Sequence, residues 1–530
     1  MLKEYIVSLN KDVDYDAFWN EIENESDTDS FVPSRRVDIV NNRDGSLRSC
    51  HYSLTDEEAE RLKQDPRIYS VEIPPWQRDD VKLIRRGYQS GDFTKTSASL
   101  GSFINWGLNR INSSTNNYGT GITTDGLYKY VLDGTGVDVV IQDSGIEVYH
   151  PEFKGNDGNT RVQLIDWYTE SGLAGTQSAN HYRDFDGHGT HVAAIAAGRT
   201  FGWAKNARIY SLKVNGLEGT GDTGTGISIA DCFDVIKLWH RNKPIDPATG
   251  FKRPTIVNMS WGYSLTYSSV SQVVYRGNTF TDANTTTDAA YRWTNYGLVN
   301  LTSGANFVTN FRSGAVDVDM QELLDEGVHV VIAGGNNYHK IDTPGGLDYD
   351  NSFRTGGVDY NYHQGSSPLD QDAIKVGNID STTFNAVQDQ KAYSSETGPG
   401  IDFWAPGSNV VSACSNTNDF SAVAYSKDPG FKQVNLTGTS MAAPQVCGLG
   451  ALYLQINPGT NPAELKKWFI RNSVSNTTIY TSNVNNDYTN LRSLMGGNNR
   501  FIYNPYGISE QAIITAGSFS ITNGVVTLTK

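Results

Sequence analysis

Val137-Asp138-Val139-Val140-Ile141-Gln142 is a largely apolar run that a chain can satisfy by burying it on both faces of a sheet, and it ends in Asp143-Ser144-Gly145. Strands of this kind belong to parallel sheets covered by helices. Two further runs share the character. Ile256-Val257-Asn258-Met259 leads into Ser260-Trp261-Gly262, and Gly327-Val328-His329-Val330-Val331-Ile332 leads into Ala333-Gly334-Gly335-Asn336-Asn337. Polar residues and glycines therefore collect after the strands, at the carboxyl ends where α/β sheets place their sites.

Gly438-Thr439-Ser440-Met441-Ala442-Ala443-Pro444 puts a serine at the mouth of a helix. Two small residues permit a tight turn before Ser440, Pro444 suits a first helical turn, and Val446 to Leu452 gives a small apolar helix that packs closely. A serine hydroxyl is a weak nucleophile and needs a base, itself oriented by an acid. Asp143 is the candidate acid. His188 is the candidate base, in Asp186-Gly187-His188-Gly189-Thr190-His191, which opens the helical run Val192 to Ala197 with Gly198 as C-cap.

Together these segments resemble the subtilisin-like serine peptidases, or subtilases, whose motifs Asp-Ser-Gly, His-Gly-Thr-His and Gly-Thr-Ser-Met-Ala run in this order. The resemblance covers roughly residues 105–475, and Arg199 to Val214 is most similar to the proteinase K branch. It implies a subtilisin-like, doubly wound, mostly parallel sheet and endopeptidase activity on polypeptide substrates, with no cofactor required. Asn336 takes the family's oxyanion position, with the neighbouring Asn337 as the alternative. The Asn336 side chain and the Ser440 N–H would donate to the charge that develops on the scissile carbonyl oxygen. Peptide substrates add as strands along backbone edges. One edge is expected at Ser260-Trp261-Gly262, where Trp261 either lines a pocket or caps the core. Gly334 and Gly335 belong to the same cleft. The second edge is the glycine-rich run 216–221, with Gly219 at its centre, a sequence that a merely flexible loop would share.

Other residues have plainer readings. His191, three positions after His188, reads as a packed histidine and not as one of a metal pair; no metal site is expected. Asp348-Tyr349-Asp350-Asn351 and Asp359-Tyr360-Asn361 offer oxygen donors for a structural calcium ion, or simply a solvated face. A net charge of −15 with pI near 5.1 argues against nucleic-acid and anionic-membrane partners, and no run approaches the ~18 apolar residues of a membrane helix. Cys50, Cys232, Cys414 and Cys447 form no evident disulfide framework. The acceptor sequences at Asn258 and Asn435 are both expected to be buried.

Ahead of this region the elements read β (4–8), α (14–25), a hairpin (36–41 with 47–53), α (55–63, with a capping box at Thr55) and β (68–72). That order is an α+β ferredoxin-like unit. Residues 1–75 resemble the inhibitory propeptide of subtilases, which implies a zymogen whose own propeptide is its inhibitor. Residues 76–104 are polar and read as an exposed linker carrying the processing site, followed by a catalytic domain over 105–475. No apolar segment with a cleavage site precedes residue 1–75, so no signal peptide is expected; an extracellular or virion-associated location stays open. Insertions at 263–320 and 338–370 leave sheet ends that face the cleft. Residues 476–530 read as an extension ending in a β-hairpin across Asn523-Gly524, a means of joining a larger assembly. The competing reading of the whole chain is a structural or assembly protein whose subtilase-like domain is a scaffold or cleaves only itself.

Overall fold

Among the described residues nine strands form the central sheet, in the order Val474–Ser475, Arg500–Phe501, Phe403–Pro406, Ile374–Ile379, His329–Ala333, Thr255–Met259, Asp138–Asp143, Arg208–Lys213 and Val162–Gln163. All neighbours run parallel except the Val474–Ser475 edge strand. This is a computed structural model, and it describes residues 2–25, 30–43, 45–85, 105–116, 130–380, 389–475, 479–480, 487–506, 518–522 and 525–529. The three runs singled out in the sequence contain the central strands Asp138–Asp143, Thr255–Met259 and His329–Ala333, every residue of which is buried.

Each sheet face has its own core. Helices His188–Ala197 and Thr439–Ile456, rich in alanine and glycine, lie against one face with Trp203, Phe403 and Trp404. Helices Ile229–Asn242 and Gly314–Asp325 cover the other, with Trp167, Trp261 and Tyr263. Asn105 and Gln445 exchange side-chain hydrogen bonds of 2.9 and 2.6 Å, tying the start of the main body to the serine-bearing helix. The body continues past residue 475, where the sequence suggested an extension: Leu494, Phe501 and Ile502 are buried in the first core. The terminal strands Ser518–Thr522 and Val525–Thr529 pair antiparallel, as the sequence predicts; their turn residues lie outside the described set.

The N-terminal unit has a sheet in the order Ile39–Asn41, Ser49–Leu54, Lys3–Leu9 and Ile68–Glu72, with helices Tyr15–Glu23 and Asp56–Leu62. Thr55 and Glu58 form the anticipated capping box. The unit has a separate core around Phe18, Tyr52 and Leu54, and it sits on helices Ile229–Asn242 and Gly314–Asp325. Arg43 reaches Asp234 at 2.8 Å and Asp319 at 3.1 Å, all three side chains buried. Glu72 Oε1 accepts from Ser313 Oγ (2.9 Å) and Ala315 N–H (2.6 Å), satisfying donors at a helix start.

The stretch read as an exposed linker is partly a strand. Val81–Arg85 pairs antiparallel with Trp261–Tyr267, from Val81 opposite Leu265 to Arg85 opposite Trp261. Polar composition concealed it because its stability comes from a non-local edge. On the other side Trp261–Tyr267 pairs with Asn306–Asn310, from the first insertion. The two insertions meet in a separate four-stranded sheet, where Gln272–Tyr275 pairs with Ser352–Thr355.

Candidate active site

Asp143 ends its strand and His188 opens the helix packed beneath it, so the two side chains meet without a flexible loop between them. His188 Nδ1 lies 2.8 Å from Asp143 Oδ1, and both side chains are buried. The His188 turn is held by a residue that the sequence reading passed over. Asp184 Oδ1 accepts from the N–H groups of Asp186 (3.1 Å) and Gly187 (2.8 Å) and from Ser144 Oγ (2.9 Å); Oδ2 accepts from Thr190 N–H at 2.9 Å. An aspartate just before a helix start is the signal that could have found it.

Ser440 is the second residue of its helix, in the turn where backbone N–H groups have no intrahelical acceptor. Its Oγ donates to the Ser260 carbonyl at 3.2 Å, which brings the end of the Thr255–Met259 strand to the serine. Pro444 lies inside this helix and not in its first turn, a correction to the sequence reading.

Asn336 Oδ1 accepts from Thr439 N–H at 2.9 Å, which turns the amide and leaves Nδ2 buried without a hydrogen-bond partner among the described residues. It lies beside the start of the Thr439–Ile456 helix, where free backbone N–H groups favour negative charge. Asn337 is half-buried. Gly335 has φ +118°, and a Cβ there would lie 2.5 Å from Glu396 Cγ; its N–H donates to Thr439 Oγ1. Gly334 packs against Val376 O and Ile401, so both glycines serve the backbone path behind Asn336.

The remaining predicted residues divide. Gly219, φ +96°, lies against the backbone of Phe185 and Asp186, beside the His188 turn. Ser260 is buried and Gly262 pairs with Ile84 along the edge. Trp261 is a core residue: its ring packs on Phe233 and Tyr263 and its Nε1 donates to Gln142 Oε1 at 3.1 Å. Of the two positions that the sequence left open for this side chain, the core is the one found, since the strand pleat turns the indole toward the helices. His191 is packed, with Nε2 at 3.1 Å from both Val410 O and Val434 O; burial and the nearby His188 hold its pKa down at about 3. Asp348 is neither solvated nor free for a cation. Arg276 and Lys340 donate to it at 2.6 and 2.5 Å, and against the effect of burial they hold its carboxyl well below the usual range. Asn435 is exposed, contrary to expectation, whereas Asn258 is buried. All four cysteines are buried free thiols.

The family model described as "Subtilase family" matches residues 134–497. An extracellular serine proteinase of Thermus sp. strain Rt41A is 26% identical over 453 residues, covering 85% of this chain and 77% of that protein. Subtilisin-like protease 3 of Saccharomyces cerevisiae is 25% identical over 477 residues, 88% of this chain and 73% of that protein. A solved cold-adapted subtilisin-like serine proteinase aligns with TM-score 0.45 and 21% identity over 75% of this chain and 97% of its own.

Proposed function

The chain belongs to the subtilase family and is a subtilisin-like serine peptidase, and we propose that it hydrolyses peptide bonds with Ser440, His188 and Asp143 and is made as a self-processing zymogen. The observation that carries this reading is the buried 2.8 Å contact of His188 Nδ1 with Asp143, set on the same sheet rim as Ser440 and the unused Asn336 amide.

In the proposed reaction Asp143 accepts a hydrogen bond from His188 Nδ1–H, which leaves Nε2 as the base. Ser440 Oγ turns from the Ser260 carbonyl toward Nε2, loses its proton to it and attacks the scissile carbonyl carbon. The carbonyl oxygen becomes an anion, which Asn336 Nδ2–H and the Ser440 N–H receive. His188 returns the proton to the leaving amine, and water hydrolyses the acyl-enzyme by the reverse relay.

Self-processing is supported by the strand Val81–Arg85. It runs from Leu265 to Trp261, toward Ser260 and so toward Ser440, and it is continuous with a folded N-terminal unit docked on the body. A substrate strand presented this way is at very high effective concentration. The N-terminal unit then acts as the enzyme's own inhibitor, its ion pairs outlasting the cut. Intact polypeptides are the substrates. The test of the nucleophile is labelling with a serine-reactive phosphonate: peptide mapping should find the adduct on Ser440, and an adduct elsewhere would reject the assignment.

A further inference from the structure

Arg78 lies on the N-terminal segment, yet its side chain belongs to a site built by the two insertions. Its guanidinium carbon stands 5.0 Å from the centroid of the Phe311 ring and 5.8 Å from that of Tyr360, and Nη2 donates to Tyr360 Oη at 2.8 Å. Phe311 closes the first insertion and is fixed to the edge strand by its N–H, which donates to Tyr263 O. Tyr360 comes from the second insertion, paired across a hairpin with Phe353, whose ring it packs on. Two aromatic faces and a phenol oxygen converging on a guanidinium make a cation site. Neither ring is needed for the triad geometry.

The carboxylate facing Arg78 is Asp80, two residues along the same segment, at 3.0 and 2.6 Å. It would leave with the segment. The body itself thus supplies rings and one phenol, while the counter-charge travels with the occupant. Backbone pairing reaches the same place: Thr266 N–H donates to Asp80 O at 2.9 Å, continuing the ladder that ends with Arg85 opposite Trp261. A cavity of about 870 Å³ lies beside it, between the N-terminal unit (Glu60, Val71, Ile73) and the body (Leu265, Tyr267, Tyr360). Lysine, a point charge without a planar face, would exploit the rings and phenol less well.

We propose that Phe311 and Tyr360 form a remote substrate subsite for an arginine side chain, filled here by Arg78, so that the peptidase favours extended polypeptides carrying arginine followed two residues later by a carboxylate, upstream of the bond cut. The inference rests on the peptidase reading above. It accounts for both insertions, which lengthen the binding edge and place one ring each at its far end.

The test uses the full chain, expressed and left to process until the cleaved N-terminal unit has been degraded and mass analysis finds none of it bound, and quenched peptides spanning residues 76–103 of this sequence. Peptides with the native Arg78 or with Arg78→Gln should differ about tenfold in kcat/KM, chiefly through KM, and Tyr360→Ala enzyme should lose most of that difference. Tyr360→Phe, which keeps the ring, should retain part of it. Short peptides lacking this region should be cut equally by wild type and Tyr360→Ala. Equal rates for the two long peptides with wild-type enzyme overturn the subsite while leaving the peptidase reading intact, and this arm needs no variant to fold. If no peptide of any length is cut, the peptidase reading fails and the subsite with it.

Discussion

Ser260 and Ser440 are joined by two hydrogen bonds: Ser440 Oγ donates to the Ser260 carbonyl at 3.2 Å, and Ser260 Oγ donates to the Ser440 carbonyl at 3.3 Å. The second is made possible by Pro444. In an uninterrupted helix the N–H of residue 444 would occupy the Ser440 carbonyl, and proline has none. The Ser440 backbone is thereby locked to the residue that leads into the Trp261–Tyr267 strand.

Ser260→Ala removes the hydroxyl that serves both Asn258 Nδ2 and the Ser440 carbonyl. Stability should fall by about 1–3 kcal/mol, because buried polar groups lose partners. Chemical denaturation reads this directly; an unchanged midpoint would mean that the link carries no stability.

Ser440→Ala and His188→Ala should each bring peptide hydrolysis close to background, since they disable one proton-transfer unit, and the double variant should be no worse. Rates of the single and double variants decide it. Substantial activity in either single variant, lost only in the double, contradicts the pairing.

Asn336→Ala deletes the buried amide donor and should lower kcat about 10²- to 10³-fold with KM little changed. A loss below about threefold would move the role to another group, Asn337 first among them.

Burial holds the pKa values of His329, His339 and His363 down, to about 4, 3 and 4. These imidazoles are neutral in the folded protein, whereas unfolded histidine titrates near pH 6.5. Below that value the unfolded chain binds more protons, so the stability present above about pH 6.5 is lost as pH falls toward 4, by up to about 1.4 kcal/mol per pH unit per histidine. Denaturant midpoints measured from pH 7 to 5 should decline; a flat profile would refute this.

Strand ends and helix starts were legible because their signals are local. Val137 to Asp143, His188 after Gly187, and Ser440 after Gly438 combine burial pattern with turn residues inside a few positions. Orientation and partnership were not. The sequence around Trp261 fits either face of a strand, and only packing against Phe233 selects the core. Val81–Arg85 became a strand through an edge formed some 180 residues later. Leu494, Phe501 and Ile502 are scattered among asparagines and glycines, so composition hid their place in the core. Asp348 looked like a solvated acid because its partners, Arg276 and Lys340, lie on other segments.

The central claim, that Ser440 cuts the chain that bears it, is tested most directly by intact mass and N-terminal sequencing of wild type beside Ser440→Ala. Wild type should yield two pieces, the new N-terminus falling beyond Arg85 and no later than Phe103, at a rate independent of protein concentration, while Ser440→Ala stays a single chain of 530 residues. Ser440→Ala protein cut at the same bond, or wild type that remains one chain while it hydrolyses other peptides, would contradict the account.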